Sequence, residues 1–390
     1  MSLLMDNDLE SLSANQSREN PQEDINSCLS PMTVVKQVEV LPIVPATVTD
    51  SEKLLEPKHI SRVVTECKSI VEDSPVSNST IRVASLSADN NIRFWDADSC
   101  GMLHITSISH PNNNYGTPRF CVSRDCFRLA QCRGNAISFG VINADSSLHP
   151  QQTCINATGG GIFSLCMNND GSRIVSGHTR GLLCYWDVES GELLWSRSVV
   201  GCGEICAVDI SFDGNLIVFG GGDNVMQLCS TEAGTEIFHY RSDGTFTIKA
   251  VKFNHDATRI ASGSSYIRIF DAADPTQSKA LLGHRNVVSC LSYSTDGTRL
   301  ASASWDKTVR VWDVESGVCL SVLQGHTNWV FSVSFSSDDS KLVSGGMDNR
   351  IVIWDSASGC EIKLLQGPAV ARGVLGVCFL PTLNDDYLLK

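Results

Sequence analysis

LGHRNVVSCLSYSTDGTRLASASWDKTVRVWD fills residues 282–313, and QGHTNWVFSVSFSSDDSKLVSGGMDNRIVIWD fills residues 324–355. The landmarks step together: His284 to His326, Asp306 to Asp348 and Trp312 to Trp354 are each 42 residues apart. A fixed period of this size marks one supersecondary unit stacked many times. Inside each copy, Val309 and Val311, or Ile351 and Ile353, alternate with period two. That is the signature of a half-buried strand. Turn pairs recur between strands, as in Asp170-Gly171, Asp213-Gly214 and Asp296-Gly297, and no helical period competes with them. The chain reads as all-β.

The unit can be followed outward by its end, an apolar strand closed by an aromatic and an acid. Clear ends are Phe94-Trp95-Asp96, Tyr185-Trp186-Asp187, Ile269-Phe270-Asp271, Val311-Trp312-Asp313 and Ile353-Trp354-Asp355. Two degenerate ends fit the register, Ser138-Phe139-Gly140 and Leu228-Cys229-Ser230. Positions 95, 139, 186, 229, 270, 312 and 354 are separated by 44, 47, 43, 41, 42 and 42 residues, which makes seven units.

With Gly-His near its start and Trp-Asp at its end, the unit resembles the WD40 repeat family. The resemblance covers roughly residues 59–366 and weakens toward the amino end. It implies a β-propeller whose blades are four-stranded antiparallel sheets around a channel. Seven blades are expected, with eight as the runner-up. The ring closes either through the apolar run from Gly373 to Leu380 joining the first blade, or through an incomplete eighth blade that uses residues 33–48 as outer strands. A short stretch, Tyr387 to Leu389, looks like the start of a further strand, so the completeness of the carboxyl end stays open. The expected layout is a disordered polar tail at 1–32, a linker with a possible edge strand at 33–58, and the propeller at 59–390.

The resemblance also assigns a structural hydrogen-bond tetrad to His284, Ser302, Asp306 and Trp312, and again to His326, Ser344, Asp348 and Trp354. A looser match is His59, Ser85, Asp89 and Trp95. Ser302, His284 and Asp306 alone resemble a hydrolase triad, which needs an exposed nucleophile beside an oxyanion site. Recurrence in several blades argues instead for a buried network that ends on an indole N–H. Other units lack the set. Arg180 stands where Asp306 stands in blade 6, Cys229 replaces the Trp of blade 4, and the shortened turn of blade 5 has lost the Asp. Those blades are expected to hold together mainly by apolar burial. No catalytic residue, cofactor, metal or small-molecule substrate is expected.

Composition narrows the classes further. A net charge of −13 disfavours generic attraction to nucleic-acid phosphates or anionic lipid. No run reaches the ~18–20 apolar residues of a membrane helix, and the start, MSLLMDNDLE, lacks the features of a secretory signal. The sixteen cysteines are scattered without Cys-x-x-Cys, so they read as reduced core residues rather than zinc ligands. The expected compartment is the cytosol or nucleus. The glycine runs 159–161 and 220–222 lack phosphate-loop spacing. Ser30-Pro31 and Ser74-Pro75 are candidate phosphorylation sites. The sequons at Asn78 and Asn156 would go unused in such a compartment.

Turn positions are usually polar, yet Tyr266, Trp305 and Met347 lie in turns of three adjacent units, and Trp329 follows Gly325-His326. Arg285 and Asn328 are near in register. Aromatic and Arg residues dominate interface hot spots, so these six form the candidate partner-binding patch. The expected function is a non-enzymatic protein–protein interaction scaffold that presents peptide- or domain-binding surfaces within a multiprotein complex. The alternatives are a ubiquitin-ligase substrate receptor and an RNA-associated propeller subunit. The resemblance ties the first of these to Trp-Asp-x-Arg, but the fourth residues here are Asp98, Glu189, Glu315 and Ala357.

Overall fold

Strand character in this chain grades from the inside of each sheet outward. The third strand of the last repeat, RIVIWD, is buried over four consecutive residues, whereas the strand after it, EIKLLQ, is mostly exposed. A strand covered on both faces must be apolar throughout, while one at an edge keeps its alternation. The computed structural model describes residues 82–380 except 107–118, 124–127, 144–147, 157–159, 200, 243–245 and 368–372. These residues form 28 strands and no helix. The expectations for 1–32, 33–58, the start of 59–390 and Tyr387–Leu389 lie outside the described residues.

The strands make seven four-stranded antiparallel sheets. Blade 1 contains β1 (Arg82–Ser87), β2 (Ile92–Asp96) and β3 (Met102–Thr106). Blade 2 is β4 (Arg119–Val122), β5 (Arg128–Arg133), β6 (Ala136–Ile142) and β7 (Leu148–Asn156). Blade 3 is β8 (Ile162–Met167), β9 (Arg173–His178), β10 (Leu182–Asp187) and β11 (Leu193–Ser198). Blade 4 is β12 (Ile205–Ile210), β13 (Leu216–Gly221), β14 (Val225–Ser230) and β15 (Glu236–Arg241). Blade 5 is β16 (Ala250–Phe253), β17 (Arg259–Gly263), β18 (Ile267–Asp271) and β19 (Ser278–Leu281). Blade 6 is β20 (Val288–Tyr293), β21 (Arg299–Ser304), β22 (Thr308–Asp313) and β23 (Cys319–Gln324). Blade 7 is β24 (Val330–Phe335), β25 (Lys341–Gly346), β26 (Arg350–Asp355) and β27 (Glu361–Gln366).

The last described strand, β28 (Val374–Leu380), pairs antiparallel with β1 and supplies the innermost strand of blade 1. This closes a seven-bladed ring. The eight-bladed alternative falls, because the apolar run it needed for a new blade completes the first one. The first strands of successive blades neighbour one another around the centre. Ser164 Oγ donates to Ile205 O at 2.9 Å, Ser289 Oγ to Val330 O at 2.6 Å and Ser332 Oγ to Val377 O at 3.3 Å.

All seven end positions fall in third strands, but blade 2 is offset. Trp312 stands opposite Leu300, and its counterpart opposite Leu129 is Gly140, not Phe139. The cause is the turn before β6, which has two residues where blade 6 has three. Phe139 therefore faces blade 3, and Leu148 fills the space beside Gly140, only 2.7 Å from where a Cβ would stand.

Candidate functional site

The Trp-Asp ends split into two jobs. Trp312 and Trp354 are buried in the seams before their blades. The following Asp caps the turn to the outer strand. Asp313 Oδ1 accepts from Ser316 N at 2.6 Å, and Asp355 Oδ1 from Ser358 N at 2.7 Å. Gly317 and Gly359 in these turns have φ of 75° and 72°, a left-handed conformation that glycine adopts without strain.

Each tryptophan anchors a chain of hydrogen bonds. Trp312 Nε1 donates to Ser302 Oγ at 2.8 Å, His284 Nε2 lies 2.7 Å from that oxygen, and His284 Nδ1 lies 2.7 Å from Asp306 Oδ2. In blade 7, Trp354 Nε1 donates to Ser344 Oγ at 2.8 Å, His326 Nε2 is 2.8 Å from it, and His326 Nδ1 is 3.0 Å from Asp348. Burial alone would raise the Asp306 carboxyl, but hydrogen bonds from His284, Thr308 and the Arg285 backbone hold it well below the usual range. Asp348 is likewise lowered, against its burial, chiefly by His326. Ser302 and Ser344 are fully buried and already accept an indole N–H. Neither presents a nucleophile to a substrate, so these sets serve to tie each blade's connecting loop to its turn.

Blade 1 keeps part of the pattern. Trp95 Nε1 donates to Ser85 Oγ at 2.8 Å. Asp89 accepts from both terminal guanidinium nitrogens of Arg93, at 3.1 and 2.5 Å. His59 lies outside the described residues.

Blade 3 holds a network that sequence comparison missed, which adds to the apolar burial expected to hold this blade. Trp186 Nε1 donates to Ser176 Oγ at 2.8 Å, and His178 Nε2 lies 2.8 Å from the same oxygen. This histidine comes from the second strand, two residues after the serine, instead of from the connecting loop. In blade 7 that position is Gly346, and a Cβ there would come within 2.9 Å of His326 Nδ1. The two histidines reach one space from opposite directions. Blade 4 answers differently: Phe219 and Cys229, both buried, stand where blade 6 has Ser302 and Trp312.

The candidate patch lies on the face shared by the turns between second and third strands and by the connections between blades. Trp305, in the turn of blade 6, stacks on Trp329, on the approach to β24, with centroids 4.6 Å apart and planes 9° apart. Both are half-buried. Trp329 also meets Phe331 edge-on at 6.5 Å. Phe331 is the second residue of β24, and its aromatic character in the repeat was the overlooked signal. Backbone bonds fix the pair: Trp305 N donates to Val287 O at 3.0 Å, and Met347 N to Trp329 O at 2.8 Å. The indole N–H of Trp305 is buried and has no hydrogen-bond partner among the described residues.

The other patch residues divide. Asn328 Oδ1 accepts from Trp329 N at 2.8 Å, setting the loop. Arg285 N donates to Asp306 at 3.0 Å, and its side chain is exposed. Met347 is half-buried beside Gly373. Tyr266 engages Arg268, whose Nη2 donates to the phenol at 3.1 Å and whose guanidinium also covers Tyr240 of blade 4. The core of the patch is therefore Trp305, Trp329 and Phe331, across the seam of blades 6 and 7.

The family model described as WD domain, G-beta repeat matches residues 275–313 and 317–355. Autophagy-related protein 16 of Arabidopsis thaliana is 27% identical over 241 residues, 59% of this chain and 45% of that protein. A guanine nucleotide-binding protein subunit beta of Schizosaccharomyces pombe is 30% identical over 91 residues, 23% of this chain and 30% of that protein. Eukaryotic translation initiation factor 3 subunit I of Drosophila grimshawi is 26% identical over 238 residues, 56% of this chain and 72% of that protein. The chain thus spans less than half the length of the first two. Repeats, tetrads and the closed seven-bladed ring agree with these matches: the chain carries WD40 repeats and forms a seven-bladed β-propeller.

Proposed function

We propose that this chain is a non-enzymatic scaffold that holds protein partners within a larger assembly, with its principal docking site at the Trp305–Trp329 stack. The observation that carries the reading is the stack itself. Two half-buried indoles meet face to face across a blade seam, on the two blades whose loops are pinned by full tetrads. A rigid aromatic platform reduces the ordering cost of association, and tryptophan is enriched among interface hot spots. Two of the matched relatives are named as subunits, in keeping with a role inside an assembly. Twelve of the described cysteines are free, which supports a reducing compartment, cytosol or nucleus. No described helix is long and apolar enough to cross a membrane.

The test is affinity capture from a cell lysate followed by mass spectrometry, comparing the wild-type chain with Trp305→Ala and Trp329→Ala. Thermal melts check that the variants fold. Partners that depend on both indoles support the reading. A partner set unchanged by either substitution overturns it.

A further inference from the structure

The docking site carries a charge opposite to that of the chain around it. Four segments of blades 6 and 7 border the indole pair: 282–287, 304–308, 325–329 and 346–350. Their acidic residues are Asp306 and Asp348. Both side chains are turned inward, 7% and 4% exposed, each against a histidine. Arg350 is half-buried and donates to Gly325 O at 2.8 Å. The exposed charges in these segments are Arg285 and Lys307, both positive. Each is tied closely to the stack. Arg285 N is bonded to the carboxylate next to Trp305, and Lys307 follows Trp305 by two residues. A chain of net charge −13 thus shows water a basic rim around an aromatic platform at the seam of blades 6 and 7.

Resting on the docking reading above, we infer that the seam of blades 6 and 7 takes an acidic peptide segment, with an apolar side chain against Trp329 and Phe331 and its carboxylates toward Arg285 and Lys307. Attraction between this rim and an acidic segment steers encounter and selects partners. Repulsion from the acidic remainder of the chain disfavours the same segment elsewhere on the surface. A basic segment would meet the reverse pattern.

The experiment pans a library of random ten-residue peptides against the folded full chain and against the double variant Arg285→Glu/Lys307→Glu. A fluorescein-labelled selected peptide is then titrated by anisotropy at low and moderate salt. Selected peptides should be rich in Asp and Glu with at least one large apolar residue. The double variant should bind them at least tenfold more weakly, and raising the salt should weaken wild-type binding. Peptides of neutral or basic composition, or binding indifferent to the double variant, overturn the inference. So does displacement by a ten-nucleotide single-stranded RNA at lower concentration than the selected peptide, which would make the anionic ligand a nucleic acid. If partner capture from lysate still requires both indoles but ignores the charge reversal and salt, the acidic assignment falls and the docking site stands. If capture ignores the indoles as well, both fall.

Discussion

At the scale of single residues, one tryptophan is fully buried and another is half-buried, although both sit in the same repeat. Trp354 is 1% exposed and bonded to Ser344. Trp354→Ala should cost about 3–5 kcal/mol, as large core truncations do. Trp329→Ala should lose about 0.5–1.5 kcal/mol of stacking. Denaturant midpoints check this, and equal large losses would make Trp329 a core residue. A second expectation concerns His178. Burial pushes its pKa below the ordinary 6.5, against the pull of the Gly160 carbonyl. As pH falls below that value the unfolded chain takes up the proton first, so stability rises with pH and is lost on acidification through the depressed pKa. Melting temperatures at pH 7.5 and 5 should differ less for His178→Gln than for the wild type. An identical acid loss in both would remove His178 from the account. The tetrads of blades 6 and 7 were legible because their residues keep fixed spacing. His178 was not, because it serves the same serine from another strand, and spacing alone does not show which side chains converge on one space.

Single elements show where spacing misleads and why. In blade 2 a two-residue turn moves the register by one, so Gly140 and not Phe139 stands in the tryptophan row. A period counted along the chain does not show where within a unit a turn is one residue shorter. The partner of β28 was likewise open in the sequence, since strand pairing across the whole ring leaves no local signal. Its consequence can be measured. Ending the chain after residue 372 removes β28 and leaves β1 with an unpaired inner edge, a template for association with other chains. Urea unfolding should become broader and the shortened chain should oligomerise in gel filtration. A monomer that unfolds as sharply as the full chain would show that β28 does not close the ring.

At the largest scale, the described residues form a ring whose inner wall can be read one level at a time. At one register position stand Cys378, Cys121, Cys166, Asp209, Lys252, Ser292 and Ser334, one from each blade. Neighbours touch: Cys166 Sγ lies 3.3 Å and Lys252 Nζ 2.7 Å from Asp209. Burial pushes the thiols of Cys132, Cys166 and Cys184 up to about 12, where the reactive thiolate is scarce. Iodoacetamide at pH 8 should therefore label exposed Cys100 and Cys360 long before those three, with urea abolishing the difference. Equal labelling rates in the native chain would contradict the burial of these thiols. Ring closure has one more effect, in time rather than in space. The strand that completes blade 1 is β28, roughly 290 residues after β1. At about 5–20 residues per second of synthesis, β1 waits some 15–60 s for its neighbour. During that interval the nascent chain carries an open sheet edge on its oldest blade. A chaperone that attends this protein on the ribosome would have its task set there, and would be released when β28 emerges.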